Sequence, residues 1–181
     1  MEKYILQLII VLIIMIFKAE RGYAFLSMNY YNITTFEGLP SNTVSAIKKD
    51  ASGFIWFGTK GGLCRFDGCE VRTYPLLSED DIWSIEELDN DTLLLGTVSG
   101  LKYFSRKANS TVKLDIPSTI VKSIRKTAEN QFLAGTEAGL YLVENQIPRQ
   151  IFLETRLSSC NHITSIIPED KNIYWFSTAD G

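Results

Sequence analysis

The chain has 181 residues, enough for one ordinary domain with a sizeable core. It is 45% hydrophobic and 22% charged, with a formal net charge of -3. A disordered chain needs a strong charge bias and a nucleic-acid binder needs a basic one, so this composition argues against both and no nucleic acid is expected as a partner.

The first 24 residues stand apart in composition. Met1 to Tyr4 carries one lysine, Ile5 to Phe17 is apolar except for Gln7, and the polar stretch from Lys18 to Ala24 ends small-x-small at Gly22 and Ala24. This is the layout of a secretory signal, with cleavage expected after Ala24 and an exported mature chain from Phe25. The alternative is an uncleaved anchor, but the apolar run falls short of the roughly 20 residues that span a bilayer. Membrane contact is therefore expected only through an uncleaved signal or through segments outside this chain. Next, Asn29 to Phe36 ("NYYNITTF") reads as a strand preceding the main pattern.

The pattern itself begins with "GFIWFGTKGGL", Gly53 to Leu63, which comes close to a phosphate-binding loop. Gly53 and Gly58 are correctly spaced, but Thr59 and Lys60 stand in the reverse of the required order. The stretch also recurs, as "TLLLGTVSGL", "QFLAGTEAGL" and "IYWFSTADG". The anchors Gly58, Gly96, Gly135 and Ser177 lie 38, 39 and 42 residues apart. Val44, Ile82, Val121 and Ile163 each precede an anchor by the same interval, and Gly62, Gly100, Gly139 and Gly181 each follow it. Thr59, Thr97, Thr136 and Thr178 persist, whereas Lys60 gives way to Val98, Glu137 and Ala179. A nucleotide loop keeps its lysine, so the likeness is accidental.

Within the first unit, short apolar runs alternate with Gly, Asn and Asp, which predicts four antiparallel strands joined by tight turns. They are placed at Val44 to Lys48, Phe54 to Thr59, Leu63 to Phe66 and Cys69 to Tyr74. Asp67-Gly68 is expected to form a two-residue hairpin turn, setting Phe66 opposite Cys69 and Cys64 opposite Val71. That register offers no disulfide, so Cys64, Cys69 and Cys160 are read as small packing residues. One histidine supplies too few ligands for zinc, and neither a metal nor a cofactor is expected.

The second strand of every unit is apolar at consecutive positions, so both of its faces must be covered. Four-stranded sheets at a period of 38–42, stacked face to face, are the blades of a β-propeller, and the fold class is all-β. The units run over about 38–75, 76–115, 116–155 and 156–181, the last one cut short. A β-sandwich and an open β-solenoid are the alternatives. Trp56 and Trp175 occupy one repeat position, filled by Leu94 and Leu133 elsewhere. A sugar-stacking role is open to Trp56, but leucine in its place favours core packing, worth roughly 4 to 6 kcal/mol as an upper bound from area burial.

The residues from 36 to 68, "FEGLPSNTVSAIKKDASGFIWFGTKGGLCRFDG", closely resemble the two-component-regulator propeller repeat of bacterial hybrid two-component sensors. Gly38-Leu39, Ser41-Asn42, Val44, Asp50, Gly53, Trp56, Gly58-Thr59, Gly62-Leu63 and Asp67-Gly68 fit the pattern, and the later units fit less well. The resemblance implies an extracytoplasmic, periplasmic sensor propeller, commonly for oligosaccharides released from glycans and used in transcriptional control of glycan use. In the family this part is followed by a further β domain, a membrane helix and a histidine kinase. None is recognisable in this sequence, so the chain itself is not expected to be an enzyme.

Three and a half units cannot close a ring of four to eight blades. The sequence therefore reads as a truncated coding sequence or a cut piece whose remaining blades and downstream domains are its missing partners; self-association is the alternative. A ligand is expected on the rim shared by the loops that enter each unit and those that follow its second strand. That rim carries Asn42, Asp80, Asp81, Thr119, Asn161 and His162 from one set, and Lys60, Ser99, Glu137 and Asp180 from the other. Their side chains suit sugar hydroxyls, and equally suit turns. A protein-binding scaffold is the competing reading. A propeller glycosidase or lyase would need paired carboxylates at set distances, which neither Glu79-Asp80-Asp81 nor Glu86-Glu87 supplies by pattern.

Overall fold

The computed structural model describes Tyr4 and residues 30–117, 120–152, 158–170 and 173–180. The chain divides into two units, Met1–Asn32 and Ile33–Gly181. The expected export segment lies outside the described residues except for Tyr4, and all the sheets belong to the second unit.

That unit is built from antiparallel strands in chain order. The first sheet holds β1 (Val44–Lys49), β2 (Ile55–Thr59), β3 (Gly62–Phe66) and β4 (Val71–Thr73), each paired with the next. The second holds β5 (Ile82–Glu87), β6 (Thr92–Thr97), β7 (Gly100–Ser105) and β8 (Ser110–Leu114). The third holds β9 (Val121–Ala128), β10 (Gln131–Thr136), β11 (Gly139–Glu144) and β12 (Ile147–Phe152). A fourth has β13 (Ile163–Asp170) and β14 (Ile173–Thr178). The first strands β1, β5, β9 and β13 are neighbours in that order, as expected of blades set around an axis with the first strand innermost. These are β-propeller blades, and they do not close into a ring.

The consecutive apolar residues of each second strand pack in opposite directions. Trp56 points toward the second sheet, joining Leu63, Tyr74 and Leu77 with Ile82, Ile85, Leu93, Leu95 and Phe104. Its neighbour Phe57 packs on the other face, with Leu39 and Cys64. In the second sheet Leu95 faces back to the first while Leu94 faces the third. Ala134 and Leu133 repeat this division in the third sheet. Trp175 stands where Trp56 does, yet is 64% exposed against 0% for Trp56. No sheet follows β14 among the described residues to cover it. Trp56 is therefore a core residue, stacked on Tyr74 at 5.4 Å, rather than a platform for sugar.

The repeated glycine is the joint between blades. A Cβ on Gly58 would meet Ile82 Cγ2 at 2.7 Å, and one on Gly135 would meet Ile163 Cγ2 at 2.6 Å. On Gly96 it would meet Val121 O at 2.6 Å and also the Oγ of Ser84. Each anchor thus admits the β-branched residue that opens the next sheet. Val44 has no such partner among the described residues and is exposed. The threonine after the anchor builds the turn between second and third strands. Thr59, Thr97 and Thr136 are fully buried, and their hydroxyls donate to the carbonyls of Gly62, Gly100 and Gly139 at 2.8 to 2.9 Å. Those three glycines have φ of +110°, +124° and +115°, a region that excludes most side chains.

Two expectations are corrected. Residues 33–36 form no strand, because the chain closes on itself there: the Glu37 carboxylate accepts from the Thr34 N–H and hydroxyl at 2.7 and 2.6 Å, and Leu39 N–H donates to Thr34 O. The segment instead lays Ile33 and Leu39 over the outer face of the first sheet. The Asp67-Gly68 hairpin is also longer than expected. Phe66 pairs with Val71 and Cys64 with Thr73, leaving residues 67–70 as a four-residue loop. Asp67 Oδ1 accepts from the N–H groups of Glu70 and Cys69, which holds this carboxyl below its usual range and makes the wider turn a better use of its acceptors. Cys69 is then exposed and packs nothing, whereas Cys64 is buried and its thiol is pushed up to about 12 by that burial.

Candidate functional site

One rim of the fan does carry both loop sets. The N–H of Lys60 donates to Thr43 O, that of Val98 to Asp81 O, that of Glu137 to Ile120 O and that of Ala179 to His162 O, at 3.0 to 3.4 Å. In each unit this bond ties the loop after the second strand to the residue just before the first. Asn42, Lys60 and Asp180 are exposed there, and Asp81, Ser99, Glu137 and His162 are half-buried. Thr119 lies outside the described residues.

Several of these side chains are engaged within the protein. Asp80 is buried, accepting from Ser99 Oγ at 2.6 Å and pairing with Lys102 Nζ at 2.5 Å. Asn42 Oδ1 accepts from the Thr35 N–H at 2.9 Å, and Asn161 is buried at the end of the short 3-10 turn Ser158–Asn161. Asp81, Lys60 and Asp180 are the rim charges left more open. Among the described residues no group of three or more His, Cys, Asp or Glu could hold a metal ion.

The same rim carries a feature that the repeat pattern does not disclose. In β1, Val44 pairs with Thr59 and Ala46 with Gly58, so Ser45 is an extra residue in the ladder. Trp83, Lys122 and Thr164 are the extra residues at the same place in β5, β9 and β13. A bulge of this kind re-aims one side chain and strengthens the local twist. Here it recurs in all four innermost strands, one residue inside the rim. The bulged residues of neighbouring blades also meet: Lys122 Nζ lies 5.8 Å from the centre of the Trp83 ring and 3.4 Å from Glu137 Oε1.

The opposite rim is a bridging network rather than a recess. Asp50 is buried and accepts from the Trp56 indole N–H at 2.8 Å, from Phe54 N–H at 3.0 Å and from Arg106 Nη1 at 2.8 Å. Arg106 belongs to the second unit and also donates to Glu87 Oε1 and Asp89 O. Lys48 pairs with Glu86 at 2.8 Å, again across the two units. These groups pair across the joint, two cations with three carboxylates, and their effect is to fix the angle between the first two blades.

Stacked antiparallel blades with a polar, bulged rim make this chain β-propeller structure. Residues 38–61, within the first unit, match the model of the two-component regulator propeller family. No curated protein matches the chain. Among solved structures, the extracellular domain of a putative hybrid two-component system of B. thetaiotaomicron is similar, with 24% identity and a TM-score of 0.66. The likeness covers 78% of this chain and 21% of that one. A second such extracellular domain from the same organism is 15% identical over 83% of this chain and 29% of that one, with a TM-score of 0.51. The WD40 β-propeller domain of Doa1 is similar over 76% of this chain and 48% of that one, at 12% identity and a TM-score of 0.65. The chain thus spans about a fifth to a third of the two extracellular domains, and the shared property at these identities is the fold.

Proposed function

We propose that this chain is ligand-sensing propeller sequence from the extracytoplasmic part of a hybrid two-component sensor, recognising oligosaccharides without turning them over. The observation that carries this reading is the family match at residues 38–61, placed in the first blade of a fan whose rim is polar and bulged. The similar extracellular domains and the signal-like N-terminus favour export to the periplasm. Among the described residues no helix is long and apolar enough to cross a membrane, so a signal would leave through segments other than these.

The exposed faces favour further blades as partners. Phe176 turns to the third sheet, against Phe152, but Ile167, Ile173 and Trp175 are open on the other face of the fourth. Apolar surface of this sort is covered by a neighbouring sheet in every earlier unit. The test is a thermal-shift screen of the native gene product against a panel of plant and host oligosaccharides, followed by chromatography of the sugars. Stabilisation by a sugar that is recovered intact supports the reading. No shift with any sugar, together with capture of a protein partner on the rim, would replace it by a scaffold; cleaved sugar would replace it by an enzyme.

A further inference from the structure

We infer that the bulged residues form the ligand subsite, with Trp83 as the stacking platform, and that the sugar it accepts is neutral rather than acidic. This rests on the sensing reading and sharpens it. Four observations meet at Trp83. It is the extra residue of a bulge that recurs at one position in four successive innermost strands, so its side chain is presented at the rim by backbone geometry rather than by loop conformation. Unlike Trp56, it belongs to none of the apolar clusters among the described residues, and it is half-buried. Its indole N–H is buried and has no hydrogen-bond acceptor in the protein. A tryptophan usually satisfies that group, so this ring lacks the hydrogen bond that fixes Trp56 in the core. Ser45, at the matching position of the adjacent first blade, is an exposed hydroxyl.

The flat apolar face of a pyranose, ringed by hydroxyls, is the chemistry such an arc would recognise. The ring stacks on the indole, and its hydroxyls meet Ser45 and Lys122.

Charge decides between neutral and acidic sugars. Lys122, whose Nζ lies 5.8 Å from the centre of the platform ring, is already paired with Glu137 at 3.4 Å. Asp81 stands two residues before Trp83, in the loop that leads into β5, and is a half-buried acidic residue. A carboxylate or sulfate on the ligand would have to displace Glu137 from Lys122 and sit close to Asp81, and like charges at short range oppose binding. A neutral ring meets neither obstacle.

The test uses the full 181-residue chain labelled with 5-fluorotryptophan, titrated with neutral hexaoses of glucose, xylose, mannose and arabinose and, separately, with oligogalacturonate. The three tryptophans give three fluorine signals, assigned by single replacement. A neutral hexaose should move the Trp83 signal and leave that of buried Trp56 in place. Trp83→Ala should weaken binding about tenfold or more, while Trp83→Phe keeps most of it. Glu137→Gln frees Lys122 and should raise affinity for oligogalacturonate. If a sugar binds but moves only other signals, and Trp83→Ala binds as well as the parent, the arc is wrong although the sensing reading survives. If oligogalacturonate binds better than every neutral hexaose, the charge argument is wrong. If no sugar binds the chain or the native gene product, both readings fall together.

Discussion

Placing a methyl group on Gly58 tests whether the repeat encodes the joint between blades. In Gly58→Ala the new Cβ would lie 2.7 Å from Ile82 Cγ2 and 3.0 Å from both Ile82 Cβ and Ile82 O. Gly58 is not among the glycines with positive φ, so the penalty is steric and belongs to the contact between sheets. Relief requires β5 to retreat by about 0.7 Å, and a gap of that size forfeits about a quarter to a half of the dispersion energy of the contacts it opens. Those contacts include fully buried Trp56, Leu63, Leu93, Leu95 and Phe104. A cost of about 1–3 kcal/mol is expected, as for other overpacked cores. Ile82→Ala alone should cost about 2–5 kcal/mol through the cavity it leaves. In the double variant the closest clash is gone, so the two costs should fall short of their sum by about 0.5 kcal/mol or more. Urea unfolding of the parent, both single variants and the double variant, followed by near-ultraviolet circular dichroism, measures the cycle. Additive costs would refute the joint, because they would mean that Gly58 is needed for something other than the approach of Ile82.

Two further outcomes are expected from the same geometry. Asp50→Ala removes the acceptor shared by Trp56 and Arg106 and leaves a guanidinium with little solvent access short of a partner. It should destabilise the chain by about 3–5 kcal/mol in urea unfolding, the usual effect of removing one member of a buried pair, whereas Glu70→Ala on the exposed loop should change stability by less than about 0.5 kcal/mol. Alkylation at pH 8 should modify exposed Cys69 quickly and leave Cys64 unreacted until the chain unfolds. Burial raises the Cys64 thiol to about 12, so almost none is thiolate at that pH. Mass spectrometry of the alkylated peptides reads this, and fast modification of Cys64 in the native chain would contradict its packing in the first blade.

Much of this architecture is written in the order of the residues. The glycine that recurs, the threonine beside it and the apolar run before it are local requirements: a close approach, a turn that needs an internal acceptor, and a strand covered on both faces. Each unit meets them with its own residues, so the period alone points to stacked four-stranded sheets. The shared rim is legible too, because antiparallel pairing puts the start of one strand beside the end of the next. The wider turn at residues 67–70 was not legible, since Asp67 selects it through two backbone N–H groups that compete with the shorter turn on nearly equal terms. The segment at 33–36 was missed for a related reason. Its β-branched and aromatic residues suit a strand, but the Thr34 and Glu37 side chains close it locally.

What only the tertiary structure decides is which of several equivalent residues is exposed and which is spent. Trp56, Trp83 and Trp175 are the same residue type, the first and last in apolar runs and Trp83 in the acidic stretch from Asp80 to Glu87. Trp56 is sealed because the second sheet covers it, Trp175 is open because no described sheet lies beyond it, and Trp83 is turned to the rim because one extra residue enters the ladder. Asp80 and Asp81 are adjacent, yet Asp80 is buried against Ser99 and Lys102 while Asp81 remains more open on the rim. A sequence states what each position can do; the neighbouring blade, which arrives about 40 residues later, determines what is left for it to do.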